Sequence, residues 1–194
     1  MTASVAPVPV TVLVGSPRKG SRTQSVAERV GKELGVLLAA EGVETAEPEI
    51  VDLAEIGALL PLRASRNVPL GPQVQAALDL VRRPGVLTVV SPTYKGTYTG
   101  MLKLFLDMLP IDGVSGCVGV AAMTAGWSKH RGAGDQFLRP LLIELGATVP
   151  VPALSILESE FDDLASVIDG WGSRHAPALG AVVTRMHRRL AAIR

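Results

Sequence analysis

The sequence predicts an α/β fold, a doubly wound parallel sheet with helices on both faces. Three observations carry that prediction. Val-rich segments recur that are apolar on both faces, the pattern of strands buried on both sides. Segments with apolar residues at helical spacing lie between them. The alternation repeats about five times, and right-handed crossovers wind such a repeat into a three-layer sandwich. At 194 residues with 47% apolar content, residues 1–194 are expected to form one domain with one large core system.

The elements follow in order. VPVTVLVGS is the first buried strand. Val26, Val30, Leu34, Leu37 and Leu38 then fall on one helical face, with Gly42 as the stop. Ser25 and Glu28 have capping-box spacing, while Ser21 and Thr23 offer alternative starts. AEPEIVDL is a short second strand, placed near an edge by Pro48. Residues 59–72, LLPLRASRNVPLGP, read as a long surface loop. QVQAALDLVRR is a helix ended by Pro84-Gly85, and VLTVVSP is the third strand. TGMLKLFLDMLP is a helix that stops at Pro110, followed by the fourth strand, CVGVAAMTAG. Pro140 gives the helix DQFLRPLLIELG a kink or a late start. ATVPVPALSIL holds a fifth, edge strand, and the tail from Phe161 is helical with a break expected around Gly170–Pro177.

Charge and cysteine content narrow the function classes. Lys+Arg 19 against Asp+Glu 18 leaves a net charge of +1, which argues against a nucleic-acid binder. The C-terminal cluster Arg185, Arg188, Arg189 and Arg194 reads as a solvated helix face beside the apolar stripe Val182, Met186, Leu190 and Ile193. Cys117 is the only cysteine, so no disulfide framework or thiolate metal cluster is expected, and a reducing cytoplasm fits. Neither a signal peptide nor a membrane span is expected. No metal site is expected.

In doubly wound folds ligands bind beyond the carboxyl ends of the strands, where the strand order reverses. The segments after strands one, three and four therefore matter most. The first, Ser16 to Thr23, combines hydroxyls, guanidinium groups and a helix start, the donor set of a phosphate site. The same residues would also make a capped surface turn. Gly15 and Gly20 match the outer glycines of a nucleoside-triphosphate P-loop, but Ser21-Arg22 stands where Lys and Ser or Thr are required. A triphosphatase is thereby disfavoured. The second segment, Ser91 to Gly100, holds both tyrosines, Tyr94 and Tyr98, and suits a flat heteroaromatic ligand. Packing of a helix start is the alternative use of those rings. The third, Met123 to Gly132, adds Trp127, Lys129, His130 and Arg131.

Three blocks, "GSPRKGSRT", "SPTYKGTYTGMLKLFLDMLP" and "TAGWSKHRGAGDQFLRPLLIELGA", resemble the NAD(P)H-dependent FMN reductases of the flavodoxin-like superfamily. They are similar in particular to the flavin reductases of two-component sulfonate monooxygenase systems. The middle block is the most specific. The sequence departs from the family pattern at Ala125-Gly126-Trp127, where relatives often carry consecutive glycines, and around Leu59–Pro72.

The resemblance implies a flavodoxin-like three-layer sandwich with strand order 2-1-3-4-5. It implies FMN as cofactor and NAD(P)H as co-substrate. The FMN phosphate would lie against Ser16, Arg18, Ser21 and Thr23, with Arg18 the strongest charge partner. Pro92, Thr93, Tyr94, Lys95 and Gly96 would line the isoalloxazine, and Thr124, Ala125 and Gly126 would meet its other side. Lys95 or nearby amides would stabilise negative charge on the reduced ring. No catalytic side chain is implied, because the flavin carries the chemistry. The expected role is to supply reduced FMN to a partner monooxygenase. A flavoenzyme that keeps its FMN and reduces a quinone, azo compound or metal oxyanion is the alternative. A flavodoxin-like electron carrier fits less well, since those proteins are strongly acidic. The resemblance also implies a homodimer or homotetramer, with the apolar helix after Thr99 at the interface. NADH against NADPH is left open; Lys129, His130 and Arg131 would suit a 2′-phosphate.

Overall fold

Five parallel strands form the middle layer, and the computed structural model describes them within residues 6–60 and 69–192. The elements are β1 (Val10–Val14), α1 (Arg22–Ala40), β2 (Glu49–Asp52), α2 (Leu53–Ile56), α3 (Pro72–Arg82) and β3 (Gly85–Pro92). Then follow α4 (Gly100–Leu106), β4 (Cys117–Ala125), α5 (Arg139–Glu144), β5 (Leu154–Leu157) and α6 (Leu164–Ala191). The strand order is β2-β1-β3-β4-β5, all pairs parallel, as expected. Most of the loop expected at 59–72, together with Ile193 and Arg194, lies outside the described residues.

Alternation along each strand sends side chains to two separate cores. Val10, Val12 and Val14 pack with α1 and α6 on one face. Leu13, Leu87, Val89 and Met123 pack with α3, α4 and α5 on the other. β1, β3 and β4 are covered on both sides, which is why they read as unbroken apolar runs. The two edge strands are short, and Pro48, Pro150 and Pro152 flank them as edge positions allow.

Three local expectations are resolved or corrected. Ser21, not Ser25, caps α1: its Oγ accepts from the Gln24 N–H at 3.2 Å. Pro140 marks a late start, since α5 begins at Arg139 after a π-helical turn over Gly134–Leu138. The break expected around Gly170–Pro177 does not occur; α6 runs unbroken for 28 residues with Pro177 inside it. Packing overrides the local signal. Ile168, Trp171, Leu179 and Val183 are buried on one stripe, and Gly172 lets the helix close on Leu37 of α1, where a Cβ would meet the Leu37 side chain at 2.5 Å. Pro177 lies on the exposed side, as does Ser173, whose carbonyl loses its helical partner to the proline ring.

The C-terminal arginines face solvent as expected: Arg185, Arg188 and Arg189 are exposed, while Val182 and Met186 pack on the first core. Among the described residues no helix is long and apolar enough to cross a membrane. Neither does any group of three or more metal-ligating side chains gather among them.

Candidate functional site

Because the strands are parallel, the segments after β1, β3 and β4 gather at one edge of the sheet. The order reverses between β1 and β3, and the crevice between their extensions is the ligand position of this topology. Gly15 N–H donates to Val90 O at 2.8 Å, so the two strands stay paired up to the crevice.

The first wall is Ser16 to Thr23. Ser16 is buried, and its Oγ accepts from the Arg18 N–H at 3.3 Å. The Gly20 N–H donates to Gln24 Oε1 at 3.1 Å, so the turn and the first turn of α1 hold each other. A helix leaves its first amides without intrahelical partners. Ser21 takes that of Gln24, which leaves the amides of Arg22 and Thr23 at the positive end of a 19-residue helix. Lys19 pairs with Glu55 at 2.7 Å and Arg22 with Glu158 at 2.6 Å. Arg18 is exposed and forms no ion pair among the described residues, so its charge is available to an anion.

The second wall follows β3. Thr93 N–H donates to Thr124 O at 2.8 Å. Tyr94 and Thr97 exchange backbone hydrogen bonds at 2.8 and 3.2 Å across a two-residue turn. Lys95 and Gly96 occupy that turn with φ of 53° and 91°, left-handed values that glycine adopts without penalty. Thr99 caps α4, accepting from the Leu102 N–H at 3.1 Å, and donates to Gly15 O at 2.6 Å, which locks the second wall to the first. The two tyrosines part company. Tyr98 is half-buried against the second core, whereas Tyr94 is exposed on the turn.

The third wall is the end of β4. Pro92 and Thr124 are register partners, both buried. Thr124 Oγ1 and Thr23 Oγ1 lie 3.1 Å apart, joining the third wall to the start of α1. Ala125 is buried, and Gly126 and Trp127 are exposed. Arg131 pairs with Glu160 from the turn after β5. Burial alone would raise the Glu160 carboxyl, but the Arg131 guanidinium and the Leu157 N–H outweigh it and hold it below its ordinary value.

Hydrogen bonds thus connect Thr23, Thr93 and Thr124 directly, while Ser16, Arg18 and Ser21 share the first turn. Tyr94, Lys95 and Gly96 form the second turn, and Ala125 and Gly126 end β4. Sequence reasoning missed Thr99, Glu158 and Glu160. Thr99 has a legible signal, a hydroxyl residue just before a helix. The two glutamates have none, because only the fold brings the turn after β5 alongside. A cavity of about 550 Å³, lined by Asp79, Arg82, Arg83, Ile111 and Asp112, opens at the other end of the sheet, away from these walls.

One buried atom in the crevice lacks a partner among the described residues: Thr93 Oγ1. With the unpaired Arg18 and the free amides of α1, the crevice offers an anion cradle at one end and hydroxyl and backbone groups along a slot at the other. FMN has this shape and chemistry, a phosphate joined to a flat ring with polar edges. The fold and the site define a flavodoxin-like flavin-binding protein.

The comparison with known proteins gives the family. The chain belongs to the NADPH-dependent FMN reductase family, whose model matches residues 8–161. It is an oxidoreductase of that family, whose flavin is FMN and whose reductant is NAD(P)H. It is 29% identical over 81% of its length to an FMN reductase (NADPH) of Pseudomonas aeruginosa, covering 81% of that protein. It is 32% identical to the NADH-dependent FMN reductase SfnE of Pseudomonas putida, over 75% of each chain. Among solved structures, it superposes on the apo form of the NADH:FMN oxidoreductase EmoB with a TM-score of 0.65 at 27% identity, covering 86% of this chain and 89% of that one.

Proposed function

We propose that this protein oxidises NAD(P)H, reduces FMN in the crevice, and releases reduced FMN to a partner monooxygenase. The observation that carries the reading is the pairing of an unneutralised Arg18 at the α1 start with a partnerless Thr93 Oγ1 in the adjoining slot. FMN, when bound, supplies the hydride-accepting ring. The chain binds and orients. Arg18, Ser16, Ser21, Thr23 and the first amides of α1 hold the phosphate. Pro92 and Thr93 line one side of the ring and Thr124 to Gly126 the other. Lys95, exposed on the turn with Tyr94 and Gly96, adds positive field at the ring's edge. No side-chain acid or base is assigned a step.

The role of the released flavin is supported by the SfnE relative and by the resemblance to sulfonate-system reductases. We assign the reaction to the cytoplasm, where NAD(P)H is supplied. For association, α4 is the proposed contact of a homodimer or homotetramer. Met101 and Leu104 are only half-buried on it, Met108 in the turn after it is half-buried too, and Ile111 beyond is 92% exposed.

The deciding experiment follows NADH and NADPH oxidation by the purified protein with and without added FMN. Turnover that rises with free FMN is expected. Turnover only with a quinone, azo or metal-oxyanion acceptor would replace this reading with that of a flavin-retaining reductase. No turnover with either nucleotide would leave an electron carrier. Light scattering at micromolar concentration should show a dimer or tetramer, and a stable monomer would remove the α4 interface.

A further inference from the structure

Trp127 is a large side chain that the fold leaves uncovered beside the crevice. It stands two residues beyond the end of β4 and is 71% exposed. The other tryptophan behaves differently. Trp171 is 6% exposed, and its indole N–H donates to Pro152 O at 3.1 Å. Trp127 belongs to neither core, and its indole makes no hydrogen bond among the described residues.

The backbone that carries Trp127 is held on both sides. Before it, β4 stays in register with β3 up to Thr124 and with β5 up to Ala125. After it, His130 N–H donates to Trp127 O at 3.0 Å and Arg131 N–H to Ser128 O at 3.1 Å, closing a tight turn. Arg131 is then tied to Glu160, whose carboxylate also accepts from Leu157 N–H at 2.8 Å. Two residues earlier, Glu158 holds Arg22, whose guanidinium carbon lies 5.3 Å from the centre of the Phe161 ring. The start of α1, the third wall and the turn after β5 form one brace. An indole on a braced backbone loses little freedom on stacking, which favours binding of a flat ring. Two residues further on, Lys129 is exposed and forms no ion pair among the described residues, whereas Arg131 is already neutralised.

We propose that Trp127 and Lys129 receive the nicotinamide nucleotide: the indole stacks on one of its flat rings, and the ammonium group faces its phosphates. The inference rests on the reading that the crevice holds FMN and that NAD(P)H is the reductant. Residues up to Gly126 are assigned to the flavin, so Trp127 begins the part of this wall left for the second reactant.

The test uses the full chain saturated with FMN, with NADP+ and NAD+ as probes that cannot reduce it. Trp127→Phe leaves Trp171 as the only tryptophan. Nucleotide is expected to cut the iodide-quenchable emission of the native protein by about half or more, and to leave that of Trp127→Phe unmoved. Trp127→Ala should raise KM for NAD(P)H about fivefold or more, with Trp127→Phe restoring it to within about twofold. The Kd for FMN should stay within about twofold of the native value in both Trp127 variants. Lys129→Ala should raise the same KM about threefold, and less at high salt. An unchanged KM in Trp127→Ala, or KM and FMN Kd rising together, overturns the role of Trp127, and an unchanged KM in Lys129→Ala overturns that of Lys129. Failure of the native protein to oxidise NAD(P)H with FMN would defeat the functional reading instead, and the NADP+ quenching would still decide whether the indole meets the nucleotide.

Discussion

Thr93→Val exchanges one hydroxyl for one methyl inside the crevice. The Thr93 N–H donates to Thr124 O at 2.8 Å, and valine keeps that bond, the β-branch and the volume. It removes only Oγ1, which is buried and has no partner among the described residues. A buried hydroxyl without a partner costs about 1–3 kcal/mol of desolvation, so the apoprotein should gain about 1 kcal/mol or more. For a chain of this length that gain raises Tm by about 2–4 °C. The flavin-loaded protein should respond with the opposite sign. If Oγ1 meets the ring edge, valine forfeits a neutral hydrogen bond of about 0.5–1.5 kcal/mol, roughly a two- to tenfold rise in Kd for FMN. Calorimetric melting of the apoprotein reads the first effect, and a titration followed by flavin fluorescence reads the second. A variant that melts lower than the native protein and binds FMN equally well would refute the argument. Thr99→Val supplies the contrast. The Thr99 hydroxyl donates to Gly15 O and accepts from Leu102 N–H, so valine leaves two buried groups unpaired and should lower Tm in the apoprotein.

Three further outcomes are expected. Arg18→Ala should weaken FMN binding by about 1.5–3 kcal/mol, whereas Lys19→Ala, whose charge Glu55 already neutralises, should change it by less than about 0.5 kcal/mol; equal effects of the two in calorimetric titration would remove Arg18 from the phosphate site. Pro177→Ala should stabilise the protein by about 1–3 kcal/mol in urea unfolding, because proline is the costliest residue inside a continuous helix; a loss or no change would mean that α6 is interrupted there. Glu160 is held below its ordinary 4.5, so its pairing stabilises fully above that pH and is lost as pH falls through the depressed value. Glu160→Gln should accordingly cost no more than about 1 kcal/mol at neutral pH and nothing in acid, read by urea unfolding at both pH values, and a difference that grows in acid would reverse the assignment.

The sheet was legible because parallel strands buried on both faces write themselves as valine runs, and β1, β3 and β4 carry that signature without a polar break on either face. What escaped the sequence depends on contacts between distant residues. Ser21, Thr23 and Ser25 are equivalent as caps by local rules; the choice falls to Ser21 while the Thr23 hydroxyl is engaged with Thr124, 101 residues away. Gly170 and Pro177 spell a break, yet the burial of Trp171 and Leu179 against α1 and the sheet outweighs that local preference. Charge is the most instructive case. The three walls display Arg18, Lys19, Arg22, Lys95, Lys129 and Arg131, and by composition alone all are equal. Folding neutralises Lys19, Arg22 and Arg131 with Glu55, Glu158 and Glu160, two of these partners arriving from the turn after β5. Arg18, Lys95 and Lys129 are left without ion pairs among the described residues, one on each wall. An anionic ligand responds to that residue of unpaired charge and not to the count of cations, which is why the phosphate role proposed for "GSPRKGSRT" falls to its first arginine, while its second braces the fold.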